Sequence, residues 1–303
     1  MKDFKSLIKN YWIAMRVFSL TLAFAATTYG IIAAYVNGYF EGRSTSYMVF
    51  LVIIVTIAGL ASQTGANLIN DFFEGSFKYP PQGTKTMTFL KLQRSYFDVF
   101  VFLSGIGALM LASLIGLYLI YITDIWMLVI GLIGVIGSYA YTGEPFVYKR
   151  RGLGVPLSFI LMGPLMSLGS YYAIAGSFSM TPILLSLPTS LLIPALMISN
   201  EMRDFRRDQK FAMGTMTVRI GAKASIALFV SLVVGVYVLT VIYVLIGLFP
   251  VYSLAGFITL PYAIRAIDSV RNAKNLGIRN TTKVHMYYSL IIFICFIISF
   301  FQY

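Results

Sequence analysis

The sequence predicts an all-α integral membrane protein of nine transmembrane helices, built as two four-helix halves with a ninth helix appended. Three observations predict it: an apolar composition, charge-free runs long enough to cross a bilayer, and basic residues confined to one side of the chain so folded. Of the 303 residues, 58% are hydrophobic and 11% are charged, where soluble domains carry roughly a quarter charged. Mean hydropathy is +0.82.

A helix needs roughly 20 apolar residues to cross the hydrocarbon core. The charge-free run 17–40 is the first span; it is too long for a secretory signal, and no small-residue cleavage pattern follows it. Runs 44–70, 99–123 and 125–143 give the second, third and fourth. Run 152–200 is about twice the needed length and has a turn signal near its middle, Gly176-Ser-Phe-Ser-Met-Thr-Pro182. It is read as a helical pair. Run 224–264 is a second pair, turned at Gly247-Leu-Phe-Pro250, and run 284–303 is the ninth span. Pro156, Pro164 and Pro194 are expected to kink or break the helices that hold them. Cys295, the one cysteine, lies in the last span and can make no internal disulfide. No catalytic role is expected for His285, the one histidine, at the start of that span.

A net charge of +12 would suit nucleic acid, but the topology explains it. With a cytoplasmic N-terminus, nine spans put 22 of the 23 basic residues inside and leave Arg43 alone outside. The C-terminus is then outside. Nucleic acid is excluded as a partner, and a multi-pass location in the cell membrane, in contact with lipid, is expected. The outer connections are short and nearly uncharged. Two inner ones, 71–95 and 201–223, begin with Asn/Asp clusters at helix ends, separated by four spans. That spacing is what an internal duplication of a four-helix unit produces, within a single polytopic domain over residues 1–303.

The first cluster reads Asn67-Leu-Ile-Asn70-Asp71-Phe-Phe-Glu74-Gly75-Ser-Phe-Lys78. On a helix, Asn67, Asp71 and Glu74 project from one face. The second reads Asn200-Glu201-Met-Arg203-Asp204-Phe-Arg206-Arg207-Asp208, with Asn200, Asp204 and Asp208 every four residues. Mg²⁺ is held by one or two carboxylates plus waters and phosphates, so two such faces can hold two ions bridging one diphosphate. The competing reading is of helix-end acids neutralised by nearby arginines. Acids kept near hydrocarbon in two halves of a bundle favour the functional one.

The two clusters resemble the aspartate-rich motifs of the UbiA superfamily of intramembrane prenyltransferases. The second, followed by Lys210 and Gly214-Thr-Met-Thr217-Val-Arg219-Ile-Gly221, is similar to the branch that prenylates dihydroxynaphthoate toward menaquinone. So is Tyr141-Thr-Gly-Glu-Pro-Phe-Val-Tyr-Lys149-Arg-Arg-Gly152-Leu-Gly154, with Gly163-Pro164 after it. The first motif departs from the family pattern, with Glu74 and Lys78 at acidic positions.

The resemblance implies Mg²⁺-dependent transfer of an isoprenyl group from a polyprenyl diphosphate, such as geranylgeranyl diphosphate, to an aromatic acceptor. Asn67, Asp71, Glu74, Asp204 and Asp208 would hold the metal. Arg203 and Lys149 would set positive charge against the leaving diphosphate. Tyr141 would face the allylic carbon, and Asn70, Lys78, Asn200 and Arg16 would complete the substrate site. The catalytic set is then Asp71, Asp204, Tyr141, Lys149 and Arg203. A glyceryl phosphate lipid is the alternative acceptor. A secondary transporter is the remote alternative, disfavoured because the acids sit at helix ends on one side and none at span centres.

Overall fold

The computed structural model describes residues 2–74, 85–272 and 277–301. Lys78 lies outside the described residues. The architecture is all-helical apart from one small hairpin. The N-terminal α1 (Lys2–Met15) leads through a 3₁₀ turn, Val17–Ser19, into α2 (Leu20–Val36), and α3 (Thr45–Glu74) returns. The antiparallel strands β1 (Thr86–Phe89) and β2 (Leu92–Ser95) follow, pairing Thr86 with Ser95 and Phe89 with Leu92. Next come α4 (Tyr96–Ile122) and α5 (Ile125–Ala140). The rod of α6 (Gly154–Ile160) and α7 (Met166–Ala175) is joined by a π turn, Leu161–Leu165. Then come α8 (Thr181–Ser190), α9 (Leu192–Lys210) and α10 (Met216–Leu245). A 3₁₀ helix, Val251–Thr259, runs into α11 (Leu260–Arg271), and α12 (Gly277–Phe300) closes the bundle.

Local chemistry sets these boundaries. Ser95 and Asp98 form a reciprocal capping box at the start of α4, and Asp124 accepts from the Trp126 N–H to start α5. The two expected hairpins turn where their signals lie. Gly176 ends α7 with φ +65° and Gly247 ends the α10 stretch with φ +74°, conformations that glycine adopts without a Cβ penalty. Pro164 lies inside the π turn; with no N–H to donate, it widens the helix locally.

Among the described residues, seven helical stretches are long and apolar enough to cross a membrane: Lys5–Val36, Thr45–Glu74, Tyr96–Ile122, Gly154–Ala175, Thr181–Lys210, Met216–Leu245 and Gly277–Phe300. The apolar α5 has 16 residues and falls short of the usual length. The rod from Val251 to Arg271 carries Arg265, Asp268 and Arg271 in its second half. Large apolar side chains lie on the outside along these stretches, among them Phe18, Leu114, Leu117, Tyr121 and Leu245. A surface of that kind is solvated by lipid, where every backbone polar group is satisfied within its helix. Helices α3 and α4 approach closely at glycines: a Cβ on Gly105 would stand 3.1 Å from the Leu68 Cβ and 3.2 Å from the Gly65 carbonyl oxygen.

Candidate active site

The first cluster occupies the C-terminal end of α3. Asn70 is 2% exposed, and with its amide oriented to satisfy both ends it donates to Glu74 Oε2 (3.1 Å) and accepts from Arg16 Nη1 (2.8 Å). Arg16 Nη2 also reaches Glu74 Oε2 at 2.7 Å. The other Glu74 oxygen is ion-paired with the Lys149 ammonium. Glu74 therefore stands between two cations drawn from distant parts of the chain. Asn67 donates to the Met15 carbonyl and to Ser19 Oγ, both at 2.8 Å, and its oxygen accepts from Gln63 Nε2 at 3.2 Å. Its amide ties the α1–α2 corner to α3.

The second cluster lies near the C-terminal end of α9. Arg203 grips Asp204 in a two-pronged pair, Nε to Oδ1 at 2.9 Å and Nη2 to Oδ2 at 2.7 Å. Arg207 reaches Asp204 at 3.1 Å and Asp208 at 2.9 Å. Asp208 is buried, and so is Glu201, which accepts from the Thr217 N–H at 3.0 Å.

Lys149 is delivered by the 3₁₀ turn Tyr148–Arg151, which ends at Gly152 with φ +79°. A Cβ at Gly152 would stand 2.6 Å from Arg219 Cδ, so both the backbone and the neighbour require glycine. The Lys149 ammonium lies 5.5 Å from the Tyr141 ring centroid. Burial, then the nearby Arg16 guanidinium, push it down to about 8, against the pull of Glu201, Asp208 and Asp204. The Tyr141 hydroxyl donates to Met197 Sδ at 3.7 Å.

One cavity of about 1250 Å³ brings these groups together. Of the twelve residues singled out in the sequence, eleven line it: Arg16, Asn67, Asn70, Asp71, Glu74, Tyr141, Lys149, Asn200, Arg203, Asp204 and Asp208. From this polar mouth the cavity continues between α3, α4, α5 and the α6–α7 rod along apolar side chains. Glu201 and Arg207, beside the second cluster, also line it and were not assigned from sequence. The helical period supplies a signal for Glu201, because it precedes Asp204 by three and Asp208 by seven. His285 is buried in α12 and does not line the cavity.

The donors are hard oxygens, carboxylates and amides, which suit Mg²⁺. Among the described residues, no three acidic, His or Cys side chains form a ready-made metal cage. That fits an ion held by one or two carboxylates and completed by phosphate oxygens and water.

A sequence profile described as the UbiA prenyltransferase family matches residues 17–291. The chain belongs to the UbiA prenyltransferase family. It is a prenyltransferase. Its curated UbiA relatives include the 1,4-dihydroxy-2-naphthoate octaprenyltransferase of Bacillus subtilis, 24% identical, with 96% of this chain and 93% of the relative covered. The Mycobacterium tuberculosis enzyme of the same name is 28% identical over 57% of this chain and 59% of its own. Among solved structures, a UbiA homologue from Aeropyrum pernix superimposes with TM-score 0.65 at 13% identity, covering 94% of this chain and 98% of that one. A second, from Archaeoglobus fulgidus and bound to GPP and Mg²⁺, superimposes with TM-score 0.57 at 14% identity, covering 94% and 99%. At these identities the superpositions establish the shared UbiA fold.

Proposed function

We propose that this enzyme transfers an isoprenyl group from a polyprenyl diphosphate, such as geranylgeranyl diphosphate, to a quinone-type aromatic acceptor, 1,4-dihydroxy-2-naphthoate, with Mg²⁺ at the diphosphate. The observation that carries the reading is the single cavity, with charged and amide groups at one end and an apolar channel continuous with it. An isoprenyl diphosphate has that same division. The naphthoate acceptor is supported by the names of the relatives from Bacillus subtilis and Mycobacterium tuberculosis. Mg²⁺ is supported by the oxygen donors of both motifs and by the ligands of the Archaeoglobus fulgidus homologue.

In this reading Asp71, Glu74, Asp204 and Asp208, with Asn67, would hold two Mg²⁺ ions, and the metal would supply charge neutralisation that makes the diphosphate a better leaving group. Arg16, Lys149 and Arg203 turn from their carboxylate partners toward the diphosphate oxygens, with Asn70 and Asn200 beside them. As the carbon–oxygen bond breaks, its electron pair leaves with the diphosphate, and these fixed cations stabilise that charge most in the transition state. The ring face of Tyr141 meets the positive charge developing on the allylic carbon. A ring carbon of the acceptor attacks that carbon, and the ring regains aromaticity by losing the group that its own carbon carried. Enclosure between helices keeps water from the cation.

The same reading sets nine spans in two four-helix halves plus α12. The short α5 and the Val251–Arg271 rod make up the count. The N-terminus and both motif segments are cytoplasmic, and the C-terminus is outside. The deciding experiment is transfer of radiolabelled geranylgeranyl to dihydroxynaphthoate by purified protein, with and without Mg²⁺. Mg²⁺-dependent product is expected from the wild type, and at least about a hundredfold less from Asp71→Ala and Asp204→Ala. Wild-type binding of the diphosphate without any naphthoate product would reject the acceptor, and undiminished transfer by both variants would reject the site.

A further inference from the structure

We propose that α5 is the ruler for the prenyl chain: Gly134, Gly131 and the buried floor at Met127 set how many isoprene units the cavity admits. The inference rests on the reading that a prenyl diphosphate is the substrate, with its reacting carbon beside Tyr141.

Helix α5 lines the cavity along almost its whole length, from Ser138 and the adjoining Tyr141 at the polar mouth to Met127 in its first turn. Met127, Gly131, Gly134, Ser138 and Tyr141 are spaced three or four residues apart and share one face, which forms a wall of the cavity with Leu128, Ile130, Leu132 and Val135 flanking it. Two glycines sit on that face. A Cβ built at Gly131 or at Gly134 meets nothing within 4 Å. Gly137 is different: it does not line the cavity, and its Cβ would stand 2.6 Å from Leu161 Cδ1. Gly137 serves helix packing, the usual use of glycine between membrane helices, whereas Gly131 and Gly134 hold space open. Gly116 on α4 lines the same cavity and is equally open.

The deep end is closed. Leu119 is 2% exposed, and Met127 and Ile130 are 9% exposed. Thr27 also lines the cavity, its hydroxyl buried and without a hydrogen-bond partner among the described residues. The glycine steps therefore lie along a space that ends, inside a cavity larger than the roughly 300–1,000 Å³ usual for small-molecule sites.

Helix geometry turns residue number into depth. At about 1.5 Å per residue, Met127 lies about 21 Å below Tyr141, Gly131 about 15 Å and Gly134 about 10 Å. An isoprene unit adds four carbon–carbon bonds, about 5 Å when extended at about 1.5 Å per bond. The closed channel thus takes a chain of about four units, the length of a geranylgeranyl group. Gly131 stands beside the end of the third unit and Gly134 beside the end of the second.

The test measures Mg²⁺-dependent binding of geranyl, farnesyl and geranylgeranyl diphosphate to the full-length protein in lipid nanodiscs, so that no acceptor is needed. The wild type is expected to bind more tightly with each added unit. Gly134→Leu keeps the wild-type affinity for geranyl diphosphate and loses about tenfold or more for the two longer chains. Gly131→Leu keeps geranyl and farnesyl diphosphate and loses only the geranylgeranyl compound to that degree. Gly107→Leu, on α4 with an equally open Cβ but outside the cavity lining, behaves as the wild type. Retained geranyl binding shows that each variant is folded. Equal losses at every length, or no loss in Gly131→Leu and Gly134→Leu, would overturn the ruler. A wild type that binds none of the three compounds would overturn the prenyl-diphosphate reading and the ruler with it.

Discussion

At the scale of single residues, Glu201 lines the candidate site and at the same time joins α9 to α10. A carboxylate this deeply buried is costly unless it is hydrogen-bonded. Its partner, the Thr217 N–H, lies in the first turn of α10, where backbone donors have no intrahelical acceptor. Glu201→Ala is expected to cost about 1–3 kcal/mol by leaving that donor unpaired. The loss is read as a lower midpoint of thermal unfolding in detergent, and Glu201→Gln restores part of it because the amide oxygen still accepts. An unchanged midpoint in the alanine variant would remove this role. Most of the site was legible at this scale, because a period of 3.6 puts Asn67, Asp71 and Glu74, and again Asn200, Asp204 and Asp208, on single helix faces. Their partners were less legible. Arg16 is 58 residues and Lys149 is 75 residues from Glu74 along the chain, and spacing holds no trace of those pairings.

At the scale of elements, the turns were the readable part. Gly176 and Gly247 end their helices where sequence placed the hairpins, and Pro164 interrupts its rod as its missing N–H requires. The 86–95 hairpin was not read, since four alternating residues per strand between two membrane helices carry little pattern. Nor was α1 recognised as a helix of its own, because Lys2, Lys5 and Lys9 break its apolar run. It joins α2 through Arg16, whose φ of +49° is uncommon for a side chain with a Cβ. The corner is held chiefly by the two bonds from Asn67 to Met15 and Ser19. Removing them in Asn67→Ala, at about 1 kcal/mol each, should speed limited tryptic cleavage after Arg16 by about thirtyfold. Measured without Mg²⁺, that rate isolates the corner from any metal effect, and an unaltered rate would show that other contacts hold it.

At the scale of the whole molecule, hydropathy gave the membrane class at once, while the number of crossings depends on two elements that hydropathy under-reports. The α5 helix is short, and the Val251–Arg271 rod is charged at one end. Charge asymmetry argues for counting both, because dropping either one moves the basic residues that follow it, Lys149–Arg151 or Arg265–Lys283, to the opposite face. Reporters fused to each end test this in cells. A cytoplasmic signal at the N-terminus and an external one at the C-terminus are expected, whereas both on one side would mean an even count and one rod lying inside the bundle without crossing.

The pairing of acids with bases across the cavity mouth carries a thermodynamic consequence of its own. Glu74, Asp204 and Asp208 each have a cationic partner in the protein. A divalent ion arriving alone has to compete with those cations for the carboxylates, and a diphosphate arriving alone has to compete with the carboxylates for the cations. Arriving together, each takes the partner that the other releases. Under the proposed function the two ligands are expected to be synergistic, each raising the affinity of the other by the same factor.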